Sequence, residues 1–117
     1  DAAIQQFRKD LDADYWGQER RPRFLSNIPE FRDLSLKMSE DHLKAHIEKH
    51  RLYAKTKLQK KRVTYWVLTP AGENVFVDFE SGKCKGIDRM QPIPKERIKD
   101  EIGASEYRAW MEKQEGI

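Results

Sequence analysis

Cysteine is almost absent from this chain of 117 residues, which has Cys84 alone, together with six glycines and five prolines. A lone cysteine forms no internal disulfide and no cysteine-based zinc cluster. A reduced, cytoplasmic compartment is therefore the default expectation, with a secreted or delivered toxin domain left open. No apolar run approaches the roughly 20 residues that cross a bilayer, so no membrane partner is expected. There is no Gly-rich phosphate loop, no G-x-S-x-G elbow and no cysteine beside a local base. Those gaps place a conventional small-molecule enzyme behind other readings, and no cofactor is expected. The first residue is Asp1, as in a processed product, a trimmed chain or a fragment of a longer protein.

Excess charge of one sign is also scarce. With 23 Lys and Arg against 20 Asp and Glu, the net charge is +3, so an anionic partner must be argued from where the charges lie. They lie unevenly. Arg20, Arg21 and Arg23 crowd a loop broken by Pro22, and a run from Lys55 to Arg62 carries Lys55, Lys57, Lys60, Lys61 and Arg62 without an acidic residue.

Charged residues make up 37% of the chain and hydrophobic ones 38%, with 10% aromatic. The core must come from a few large side chains, and the length suits one compact domain over residues 1–117. Ile4, Phe7, Leu11 and Tyr15 repeat at helical spacing ahead of Gly17, which predicts a first helix over 2–16. "SNIPEFRDLSLKM" restarts a short helix with Pro29 in its first turn. Ser39 is a good cap for the next helix, and no Gly or Pro follows until Pro70. Leu43, Ile47, Ala54 and Leu58 fall within about 60° of one another on a helical wheel. The spacing predicts one long central helix over 40–61.

From Val63 the pattern turns β-branched and aromatic. "VTYWVLT", the turn "PAGEN" and "VFVDF" predict a small antiparallel meander, with "ESGKCKGI" as a further turn and a short third strand. Ile98 and Ile102 mark a short helix ended by Gly103, and Ser105 is placed to cap a last one bearing Tyr107, Trp110 and Met111. The fold class is α+β: N-terminal helices including the long central one, the meander, then short C-terminal helices. "YWVLTPAGE" resembles the L-T-x-x-G phrase that ends the wing of many winged-helix regulators. There the chain enters a helix, whereas here "NVFVDF" reads as a strand, and no family is assigned.

All three histidines, His42, His46 and His50, sit four residues apart in "DHLKAHIEKH". Neither H-E-x-x-H nor H-x-x-E-H is met, and no metal site is expected. On the wheel His50 joins the apolar stripe and His46 sits on its flank, so both are first structural and second candidates for a general acid and base. Asp10, Asp12 and Asp14 begin like a calcium loop, but Tyr15 and Arg21 stand where Gly and Glu are needed.

The basic run adjoins Tyr65 and Trp66 of the first strand. Clustered cations and aromatic rings are what phosphate neutralisation and base stacking require. The expectation is a nucleic-acid-binding domain, RNA before DNA, with Lys55, Lys57, Lys60, Lys61 and Arg62 on phosphates, aided by Arg20, Arg21, Arg23 and Trp66. A sharper form is a metal-independent ribonuclease of the toxin type, with His46 and His50 catalytic beside those cations. The alternative is an accessory subunit docking on a protein partner through the Tyr107/Trp110/Met111 face.

Overall fold

The computed structural model describes residues 23–116. The expected first helix, the Asp10/Asp12/Asp14 cluster, Arg20 and Arg21 lie outside the described residues. Two 3-10 turns, Arg23–Asn27 and Pro29–Phe31, lead into α1 (Glu40–His50). Four strands follow: β1 (Tyr53–Gln59), β2 (Arg62–Leu68), β3 (Asn74–Glu80) and β4 (Lys83–Arg89). Helices α2 (Lys95–Ile102) and α3 (Ala104–Gln114) complete the order. The sheet is an antiparallel meander in sequence order, β1-β2-β3-β4. The class is α+β.

The long central helix is not formed. α1 begins as its sequence dictates, with Ser39 Oγ accepting from the His42 N–H at 3.1 Å and with Glu40 and Asp41 in the first turn. It ends at His50, because Arg51 turns left-handed (φ 52°) and the Leu52 N–H reaches back to the Ile47 carbonyl at 2.9 Å. This is a Schellman ending with Arg51 in the place glycine usually takes. Residues 53–59 then pair with β2 from Tyr53↔Leu68 to Gln59↔Arg62. Ala54 and Leu58 fitted the helical stripe because four residues is nearly one helical turn, but four is also even, so a strand places them on one face as well. Leu58 ends up 78% exposed. The basic run is thus a hairpin and not a helix end.

The remaining strands follow their alternation. β4 is a full seven residues instead of a short addition, reached through a turn in which Ser81 (φ 53°) and Gly82 (φ 81°) are both left-handed, as a type I′ hairpin requires. Between β2 and β3, Gly72 (φ 99°) lies so close to Ile93 that an added Cβ would stand 1.9 Å from its carbonyl oxygen. The L-T-x-x-G phrase is therefore a hairpin turn locked under the α2 connector. Gly103 closes α2 and opens α3 directly, and Ser105 lies inside α3 instead of capping it.

The sheet carries two apolar clusters. One face presents Tyr65, Val67, Val75, Val77, Phe79, Cys84 and Ile87 to Leu25, Ile28, Phe31, Leu34, Met38 and Leu43 of the turns and α1. Tyr65 bonds Glu40 at 2.5 Å across this layer; burial and the Glu40 carboxylate push its phenol well above the ordinary range. The opposite face joins Tyr53 and Leu68 to Ile98, Ile102 and Trp110, with Trp66, Ile93, Tyr107 and Met111 at the margin. Trp110 is 3% exposed and donates to the Arg51 carbonyl at 2.8 Å. The face expected to dock a partner covers the protein's own sheet. No helix among the described residues is long and apolar enough to cross a membrane.

Candidate nucleic-acid interface

α2 and α3 cover only the end of their sheet face where Tyr53, Leu68 and Asn74 lie in register. Toward the other end no helix among the described residues covers the same face. Strand register lays three rows across it: Lys55–Trp66–Phe76–Asp88, Lys57–Thr64–Asp78–Gly86, and Gln59–Arg62–Glu80–Lys83. Alternation therefore places Lys55 and Lys57 beside Trp66 and Thr64, and sends Thr56 and Leu58 to the other side.

The rows border a groove of about 580 Å³ whose lining includes Lys55, Lys57, Gln59, Thr64, Trp66 and Phe76. Lys55 and Lys57 are exposed, whereas Trp66 and Phe76 are half-buried and form its apolar floor. Trp66 is held in place. Its Nε1 donates to Asn74 Oδ1 at 3.0 Å, and the buried Asn74 amide donates in turn to the carbonyls of Gly72 (3.2 Å) and Gln91 (3.0 Å). The Tyr53 ring stands edge-on to the indole, with centroids 5.9 Å apart. Tyr53 is itself anchored by its hydroxyl donating to Glu106, and burial with that carboxylate pushes its pKa to about 12. An indole so fixed loses little freedom when a flat ring stacks on it.

Beyond the groove, the turn Lys60–Lys61 is tight, with Lys60 left-handed at φ 52°. The Lys61 carbonyl accepts from the Ser81 N–H at 3.2 Å, tying this turn to the β3–β4 turn beside it. Gln59, Lys60, Lys61, Arg62 and Glu80 line a second concavity of about 710 Å³ there. Among the described residues, none of Lys55, Lys57, Lys60, Lys61 and Arg62 forms an ion pair. Glu80 stands in register with Arg62 but forms no ion pair with it among the described residues, and Asp78, in the row of Lys57, accepts from Thr64 Oγ1 at 2.6 Å. The cations remain available for an external anion.

Six residues expected from sequence to meet nucleic acid, Lys55, Lys57, Lys60, Lys61, Arg62 and Trp66, come together on this hairpin and face. Arg23 lies in the first 3-10 turn, remote in sequence from them. Phe76 and Thr64 line the same groove and were not singled out from the sequence. Their signal was present, since Phe76 is an aromatic at the outward phase of the "VFVDF" alternation.

His46 and His50 belong to a different layer, against the turns that cover the sealed face. His46 is 5% exposed, and its Nε2 bonds the Glu30 carbonyl. Desolvation lowers its pKa, reinforced by His50 and His42 and opposed by the Glu30 bond and Asp33. The wheel placement is inverted: His46 is the buried histidine and His50 the half-buried one. β1 rises about 3.3 Å per residue, so the hairpin tip stands roughly 20 Å from the strand's start just after α1. The histidines and the tip cations do not share one site.

No family model matches the chain, and no curated protein or solved structure matches it significantly.

Proposed function

We propose that the protein is a nucleic-acid-binding domain that takes a single strand, RNA before DNA, along the open half of its sheet. The observation that carries this reading is the row Lys55–Trp66–Phe76, which sets a cation beside two aromatic rings on an uncovered face. Lysines 55 and 57 neutralise phosphates at the groove, and Lys60, Lys61 and Arg62 continue the track around the turn. Trp66 and Phe76 offer flat apolar surface, on which each stacked base is worth about 1–3 kcal/mol. Unpaired bases can reach such a floor, whereas bases stacked inside a duplex cannot. That difference favours single strands.

Fluorescence polarisation with labelled single-stranded RNA, single-stranded DNA and duplex DNA across a salt series tests the reading. Five phosphate contacts to a single strand predict a slope of log K against log salt of roughly −3 to −4. Replacing Lys60, Lys61 and Arg62 together by Ala reduces that slope by about 2. Phe76→Ala weakens binding while leaving the slope unchanged. Intact RNA on a denaturing gel is expected, and shortened RNA in the presence of chelator would restore the ribonuclease form and direct attention to His46 and His50. Absence of binding at low salt would reduce the lysines to guards of an edge strand against pairing with other chains.

A further inference from the structure

The histidine layer contains a cluster that nucleic-acid binding does not use. Asp33, His46 and His50 each offer one ligand atom, and these atoms all lie within 4.8 Å of one another. We propose that the three residues form a binding site for a divalent transition ion of the zinc type, with a fourth position open to water or an external ligand.

Two of the donors follow from α1. His46 and His50 are one turn apart, so their imidazoles rise from the same side of the helix, with ring centroids 4.3 Å apart. The third comes from a segment far from them in sequence. Phe31 and Leu34 are fully buried on either side of Asp33, and the Glu30 carbonyl is bonded to His46. Those anchors hold the Asp33 backbone beside the histidines and leave its carboxylate exposed.

The nitrogen chemistry fits a metal. His50 Nε2 is buried and has no hydrogen-bond partner among the described residues. A buried polar atom left in that state is costly, and a metal ion would satisfy it. For His46, a proton on Nε2 donated to the Glu30 carbonyl leaves Nδ1 with the free lone pair. A backbone carbonyl behind a ligating histidine is the usual arrangement that orients the ring and raises its basicity. Two imidazoles and one carboxylate suit zinc and its neighbours, whereas calcium and magnesium take oxygen ligands. Donors at roughly 2.0–2.2 Å from a tetrahedral ion lie about 3.3 Å apart, so the cluster closes by on the order of 1 Å on binding. The exposed Asp33 side chain is free to supply that movement.

The test uses the full chain, without a histidine tag and freed of metal by chelator. Titration calorimetry with Zn²⁺ and the visible absorption of Co²⁺ put in its place are the readouts. The expected result is one ion per chain, a Co²⁺ spectrum of the intense four-coordinate kind and a Tm that rises with zinc. Asp33→Asn and His50→Gln should each weaken uptake at least about tenfold. His42→Ala, on an exposed residue outside the cluster, should leave uptake unchanged. Asp33→Asn alters an exposed side chain, and circular dichroism verifies that the variant is folded. The proposal fails if the wild type takes up no zinc at micromolar concentrations, or if uptake survives both Asp33→Asn and His50→Gln.

Discussion

The two faces of the sheet are built from the same strands by the same alternation and end in opposite states. On one, Tyr65, Val67, Val75, Val77 and Phe79 are sealed under the 3-10 turns and α1. On the other, Tyr53 and Leu68 are sealed by α2 and α3, and the rows beyond them carry Lys55, Lys57, Trp66 and Phe76 into an open groove. A strand pattern assigns residues to a face, and only the neighbouring elements decide whether that face is covered. The covered parts of both faces hold the fold together, and the rows proposed to bind nucleic acid are those left uncovered.

The sharpest break in that contrast is Phe31→Ala. Phe31 is wholly buried on the sealed face, and its truncation should cost about 3–5 kcal/mol, read from the urea midpoint. Cys84 gives a second test of the same layer through pH. Burial first, and then the Asp78 charge, push its thiol up to about 11, against the Gly86 contact that pulls it down, whereas an unfolded cysteine titrates near 8.5. Because the folded value is raised, this stabilisation is complete below about pH 8.5 and is lost as pH rises through about 11. The wild type should lose stability between pH 8 and pH 10.5 more steeply than Cys84→Ala does, measured by thermal unfolding.

At the boundary between sealed and open regions, Asn74→Ala removes the bonds to Gly72, Gln91 and Trp66. It should cost about 1–3 kcal/mol and free the Trp66 indole, seen as a changed tryptophan emission. On the open face the same scale of substitution should hardly register in stability. Replacing Lys60, Lys61 and Arg62 by Ala should shift unfolding by less than about 0.5 kcal/mol while abolishing nucleic-acid binding at moderate salt. Leu58→Thr, on the opposite side of β1 and at the most exposed large apolar residue among the described residues, should leave both nearly unchanged. A large stability loss from the triple replacement would mean that the hairpin tip is packed after all.

Much of this was legible along the chain. Ser39 with Glu40 and Asp41 marked the start of α1, the alternation of β2 and β3 gave their faces, and Ile98, Ile102 and Gly103 marked α2 and its stop. The cations of the hairpin were recognised as a cluster although their conformation was misread. The error at residues 51–59 has one cause: a four-residue spacing satisfies both helix and strand, and the left-handed turn falls on Arg51, which carries no local signature of a break. The metal cluster was invisible for another reason. His46 and His50 display their spacing openly, but Asp33 joins them only when the 3-10 segment folds back on α1.

The sequence by itself determined which residues share a face of each element and where the cations are concentrated, because backbone periodicity and charge are local properties. The tertiary structure decided that β1 is a strand, that the Trp110 face turns inward, that half of one sheet face stays open, and that Asp33 meets two histidines. Each of those depends on pairing or covering between segments distant in the chain, and the free energy of such contacts is written in no single stretch of it.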